Sequence, residues 1–207
     1  LGSAAARVRQ RTGGKSKPKT EVEMTSFKFE DPLPTRTGLN KIKESLLSDE
    51  HVRKLVGVLP KRLRIRDWHL VYSTDVHGYS LGTLYRQAKM RKHKGPSIIA
   101  VADMNGKVFG GFASHTWRCT NSFFGSGECF LFTVHPDFEV FGWSGRNSQF
   151  MLARQECLGF GGGGSFGLWL DSSLEAGSSS SCPTFQNKLL STSQDFKVCA
   201  VELWGIG

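Results

Sequence analysis

From Leu39 onward apolar residues recur at helical spacing. Ile42, Leu46 and Leu47 form one short stripe, and Val52, Leu55, Val56 and Leu59 form a second, with Ser48 or Asp49 placed to cap it and Pro60 to end it. Lys61, Arg62, Arg64 and Arg66 then surround Leu63 and Ile65 in a basic, edge-like segment, and the run Trp68 to Ser73 predicts the first strand. After a turn over residues 75–78, Leu81, Leu84, Tyr85 and Ala88 stand at i, i+3, i+4 and i+7, the spacing of a helix with one apolar face. Two β runs, residues 97–103 and 107–114, flank a Met-Asn-Gly turn, the pattern of a tight hairpin. Gly110 and Gly111 sit in the middle of the second run, where a missing side chain lets another element approach closely or lets the strand bulge. Short strands are predicted next over residues 129–134, 139–141, 149–152 and 156–160.

The last quarter of the chain is the densest. Phe166, Leu168 and Leu170 share one parity and Trp169 takes the other, which predicts a strand covered on both faces. At the end, Phe196, Val198, Ala200, Glu202 and Trp204 share one parity, and Cys199, Val201 and Leu203 the other. Glu202 therefore lands among apolar neighbours, and a buried carboxylate must be hydrogen-bonded, paired or functional, because burying the bare charge costs several kcal/mol or more. Residues 172–193 keep no period and read as a long surface excursion pinned by Phe185. Helices early and many short strands later predict an α+β fold: a central antiparallel β-sandwich of two sheets, flanked by a few helices.

Length and composition narrow this picture. A chain of 207 residues suits one domain and buries roughly 70% of its unfolded surface. No apolar run approaches the ~20 residues that span a bilayer, and no charged-then-apolar leader opens the chain, so the expectation is an intracellular protein, cytoplasmic, nuclear or mitochondrial, without membrane insertion. Five scattered cysteines fit reduced thiols better than a disulfide framework. The net charge of +9 divides into +4 over residues 1–24, +6 over residues 25–145 and −1 over residues 146–207, so the basicity lies ahead of the terminal strands. Residues 1–26 read as a disordered basic arm, or as a remnant of cloning or of a longer chain, ahead of one domain over residues 27–207. Arg86, Lys89, Arg91, Lys92 and Lys94 make the densest ordered basic patch, suited to phosphate or to an acidic protein surface, with a solvated helix face as the plainer reading. No base-reading motif accompanies the patch, which leaves nucleic acid the weaker partner.

The candidate chemistry is sparse. Residues 159–164 satisfy G-x-G-x-x-G, yet a strand pattern follows where a dinucleotide site needs a helix. The six histidines are far apart, no C-x-x-C or H-E-x-x-H occurs, and neither a metal nor a cofactor is expected. Three side chains stand as candidate catalysts: Glu202, Cys182 and Asp171. Cys182 lies on the serine-rich excursion, where solvent should reach it, but no Lys, Arg or His within five residues would lower its pKa; Cys129 and Cys199 fall in strands and should be inert core. Glu202 with Asp171 would supply the two carboxylates that glycoside hydrolysis usually requires, although tying the terminal strand to backbone amides or an Arg is the favoured role for Glu202.

One family matches these blocks. Gly-Leu-Trp-Leu-Asp at 167–171, the serine-rich Cys-Pro-Thr-Phe-Gln-Asn at 182–187, and Asp-Phe-Lys-Val-Cys-Ala-Val-Glu-Leu-Trp-Gly at 195–205 strongly resemble the C-terminal pattern of the TLDc domain of oxidation resistance and nuclear receptor coactivator proteins. Upstream, residues 70–85, Val-Phe-Gly-Gly-Phe-Ala-Ser at 108–114 and Ser-Gly-Glu-Cys-Phe-Leu-Phe at 126–132 look like that family's earlier blocks in order, so the resemblance covers about residues 33–207. It implies a β-sandwich flanked by helices, a non-enzymatic module protecting against oxidative stress, and binding to the peripheral sector of the V-type proton-pumping ATPase; a monomer is expected. By position it marks Glu202, Gly205, Gly110 and Gly111 as needed for activity or partner binding. The chain departs from the family pattern at Gln186, where many members have Gly. The alternative from a different class is an enzyme or direct thiol antioxidant using Glu202 or Cys182.

Overall fold

The computed structural model describes residues 32–90 and 94–207; the basic arm, and Arg91 and Lys92 of the basic patch, lie outside the described residues. In chain order the elements are β1 (Arg36–Thr37), a 3-10 turn (Leu39–Lys41), α1 (Asp49–Val58), a second 3-10 turn (Lys61–Leu63), β2 (Trp68–Ser73), α2 (Thr74–His77), α3 (Leu81–Ala88), β3 (Ser97–Asp103), β4 (Val108–Ala113), β5 (Phe130–His135), β6 (Glu139–Phe141), β7 (Met151–Ala153), β8 (Cys157–Phe160), β9 (Leu168–Asp171), β10 (Ala176–Ser178) and β11 (Asp195–Ile206). The fold is α+β and sandwich-like. One sheet carries β1, β2, β11, β3, β4, β5 and β6 and the other β11, β10, β9, β8 and β7, antiparallel throughout except for the short parallel pair β1 and β2.

The strand β11 joins the two sheets. Its first residues pair with β10, at Asp195, Phe196 and Lys197, and the rest pair with β3 on one side and β2 on the other. A β-bulge between Val198 and Ala200 marks the crossover, the usual device by which a strand changes sheet. The bulge also corrects the simple two-residue alternation expected along this strand. Phe196 and Val198 pack in the core between the sheets together with Val201 and Leu203, while Glu202 falls on the opposite face with Trp204 and Ile206. Cys199, expected as inert core, is exposed because it occupies the bulge.

Two cores result. Between the sheets, Ile99, Val101, Phe109 and Leu131 meet Leu158, Phe160 and Leu168, and the apolar face of α3 closes the edge with Leu81, Leu84 and Tyr85. On the outer face of the first sheet, α1 lays Val52, Leu55 and Val56 against Ile98, Phe112, Phe132 and Trp204. Ser48 caps α1 by accepting from His51 N, as the sequence pattern requires. The stripe over residues 39–47 does not become a helix. The amide of Leu46 donates to the Glu202 carboxylate and that of Leu47 to Ser45 Oγ, so side-chain oxygens claim donors that a helix would direct to the carbonyl four residues back. The basic segment over residues 61–66 is likewise turn, not strand.

Residues 172–193 are only in part the surface excursion expected, for about as many of them are buried as exposed. They contain β10 and bury Leu174, Cys182, Phe185 and Leu190 in the core between the sheets, with Ser179, Thr184, Asn187 and Ser191 buried beside them. Each of those polar side chains has a hydrogen-bond partner within the protein, which is the condition for burying it.

Candidate functional site

Glu202 is 2% exposed. Its Oε1 accepts from Leu46 N at 3.0 Å, and its Oε2 accepts from Ser45 Oγ at 3.1 Å and Trp204 Nε1 at 2.8 Å. The three donors reach it from β11 itself and from the segment just ahead of α1, more than 150 residues away in sequence. Arg36 completes the arrangement. Its guanidinium lies over the Trp204 ring, 5.8 Å from the centroid, and donates to Leu47 O and to Asp49 Oδ1, each at 2.6 Å. Burial pushes the Glu202 carboxyl above its usual range, opposed by the Trp204, Leu46 and Ser45 hydrogen bonds and by the charge of Arg36. The carboxylate fastens the approach to α1 onto the terminal strand; it does not reach the serine-rich segment.

The marked glycines fit by volume. A Cβ on Gly110 would stand 1.9 Å from Ile99 O, one on Gly111 2.8 Å from the Phe160 ring across the sandwich, and one on Gly205 2.4 Å from His69 Nε2. At all three the neighbouring strand or ring occupies the space of a side chain.

The second carboxylate is elsewhere. Asp171 ends β9 on the other sheet, where its Oδ1 accepts from Glu175 N and Ala176 N and its Oδ2 from Ser173 Oγ, closing the turn into β10. Glu202 faces α1 on the far side of the first sheet, so the two do not share a cleft. Cys182, expected at the surface, is 1% exposed. Its amide and Sγ both lie 3.3 Å from Asn187 Oδ1 as donors, and burial pushes the thiol pKa up, the opposite of activation. Gln186 beside it adopts φ +50°, the left-handed conformation that glycine takes without strain. Of the basic patch, Arg86, Lys89 and Lys94 are described, and all three are exposed. After β8 the glycine-rich run passes directly to β9 with no helix between. Among the described residues no three of His, Cys, Asp and Glu converge as a metal site would need.

Sequence reasoning placed Trp204 on the face of Glu202 and expected backbone amides or an Arg as partners, but it did not identify Ser45, Leu46 or Arg36. Nothing local marked those three.

This sandwich, crossed by one long strand that carries a buried Glu and a following Trp-Gly, has relatives. Residues 40–207 match the model of the TLDc domain. The chain belongs to the TLDc family. Nuclear receptor coactivator 7 of Gallus gallus is 43% identical over 165 residues, which is 79% of this chain and 18% of that protein. Oxidation resistance protein 1 of Homo sapiens is 42% identical over 187 residues, 90% of this chain and 20% of that protein. The chain thus spans about a fifth of the length of the curated relatives it matches. The TLDc domain of this chain places its marked residues in packing and latching positions around β11 and the hairpin of β3 and β4.

Proposed function

We propose that this TLDc domain is a non-enzymatic interaction module of an oxidation-resistance protein, acting inside the cell by binding the peripheral sector of the V-type proton-pumping ATPase. The observation that carries the non-enzymatic part is the engagement of every side chain chosen for chemistry. Glu202 accepts three hydrogen bonds, Asp171 closes a turn, and the Cys182 thiol is buried with its pKa raised. Paired carboxylates across a cleft and a thiol near its titration range are what hydrolysis and peroxide reduction require, and these groups supply neither. Kinship with proteins named for oxidation resistance supports the protective role, and the family resemblance supports the ATPase as partner.

Pull-down from cell lysate with the folded domain, read by mass spectrometry, tests the partner. Recovery of peripheral ATPase subunits at physiological salt is the expected result; their absence, with the domain shown to be folded, overturns the reading. Peroxide consumption tests the class. The wild type and a variant lacking all five cysteines should consume peroxide equally slowly, and a faster wild type would return the domain to the direct antioxidants.

A further inference from the structure

The loop from α1 to β2 combines a hydrogen-bonded backbone with an exposed apolar tip. Leu63 N donates to Pro60 O at 2.8 Å, Arg64 N to Lys61 O at 3.4 Å and Arg66 N to Leu63 O at 3.1 Å, so residues 60–66 are wound into successive tight turns. Leu63 anchors the loop in the core beneath α1, whereas Ile65, two residues on, is 88% exposed. The next most exposed large apolar side chain among the described residues, Met104, reaches 66% and lies in the turn between β3 and β4, away from this loop. Lys61, Arg62, Arg64 and Arg66 flank Ile65 in sequence. Strand pairing adds another cation. Gly207 N donates to Asp67 O and Ile206 N to Pro96 O, so residues 66–67 and 94–96 flank the end of β11, and the exposed Lys94 sits at the same end of the sheet, roughly two strand spacings or 10 Å across. Arg62 is paired with Glu128, Arg64 Nε donates to Leu59 O, and Asp67 accepts from Thr35 N. Lys61, Arg66 and Lys94 make no ion pair among the described residues.

We propose that this end of the first sheet docks peripherally on an anionic bilayer surface, with Lys61, Arg66 and Lys94 against the headgroups and Ile65 entering the boundary with the acyl chains. A lone protruding isoleucine flanked in sequence by exposed cations that outnumber the nearby exposed Asp67 suits that partner better than an acidic protein. On a protein it would need a matching pocket, and one side chain alone buries little area there. A fluid lipid interface moulds itself around any protruding apolar group, and cations beside such a group are the usual composition of interfacial binders. The backbone of the loop is already held by its own turn hydrogen bonds, so docking orders chiefly the exposed side chains. A few cations and one apolar side chain give weak, reversible attachment, each cation contributing about fivefold in affinity near an anionic surface. The attachment is independent of any ATPase contact.

Sedimentation with vesicles of phosphatidylcholine containing about 30% phosphatidylserine tests it, at about 50 mM and about 300 mM salt, against vesicles of phosphatidylcholine alone. The protein should bind the anionic vesicles, more weakly at the higher salt, and should ignore the neutral ones. Combining Lys61→Glu, Arg66→Glu and Lys94→Glu, all at exposed positions, should abolish binding with an unchanged melting temperature. Ile65→Ser should weaken it several-fold, and Ile65→Trp should show a blue shift in emission on anionic vesicles alone. Failure to bind anionic vesicles at the lower salt overturns the proposal, as does binding unaffected by charge reversal. Binding to polyglutamate without binding to vesicles overturns it in favour of an acidic protein partner.

Discussion

Residues 195–206 and residues 172–193 both carry side chains into the interior, by different means. The terminal strand is covered because most of its side chains are apolar, and its buried carboxylate, Glu202, is tolerated because three donors converge on it. The preceding segment is rich in serine and has no apolar period, yet it is partly buried, through the apolar side chains of Leu174, Cys182, Phe185 and Leu190 and through polar groups whose hydrogen bonds are met inside the protein. Thr184 Oγ1 accepts from Gly162 N and donates to Asn147 Oδ1, and Ser191 Oγ donates to Asp103 Oδ2. Polarity therefore does not measure exposure; what matters is whether each donor and acceptor finds a partner once water is gone.

The largest effect should come where the fit is steric. Gly110→Ala would drive a methyl into Ile99 O on the partner strand, and the backbone of a central strand cannot move aside without losing its pairing. A loss of more than about 3 kcal/mol is expected in urea denaturation. A loss below about 1 kcal/mol would mean that β3 and β4 can part.

Glu202→Gln replaces an acceptor oxygen by a donor in a site where every neighbour donates, and should cost about 1–3 kcal/mol. The substitution also separates structure from function. A variant with an unchanged melting temperature that fails to recover ATPase subunits would make Glu202 a contact instead of a latch. Its pH dependence has a definite sign. Burial raises the folded-state pKa of Glu202, so its favourable contribution is fully present below the unfolded value and is lost as pH rises through the folded value. The stability of the wild type relative to Glu202→Gln should therefore fall between acid and neutral pH. A rise over that window would show that the three hydrogen bonds outweigh burial.

On the other side of the comparison, Thr184→Val keeps the shape and removes the hydroxyl. It leaves Gly162 N without its acceptor and should cost about 1–2 kcal/mol, a result that a solvated loop would not give. The smallest effect is a gain. Gln186→Gly relieves a left-handed backbone at φ +50°, against the greater entropy glycine loses on folding, for a net stabilisation of under about 1 kcal/mol in the melting transition.

Where partners are near in sequence, the chain alone determined its structure. The helices α1 and α3, the hairpin of β3 and β4 and most later strands followed from period and turn chemistry, because a capping side chain, a glycine turn and an alternating face are settled within a few residues. The burial of Glu202 was legible for the same reason, being set by its neighbours on the strand. Only the tertiary structure decided what receives it. Ser45 and Leu46 lie more than 150 residues away, and meeting them required the sheet to form first; in doing so they gave up the helix that their own spacing predicted. The bulge that turns Val198 to one face and Glu202 to the other is likewise a property of β11 pairing with three strands at once. The same holds for Cys182, polar by its neighbourhood in sequence and buried by its neighbourhood in space, since local composition records how a segment meets water but not which other segments will displace that water.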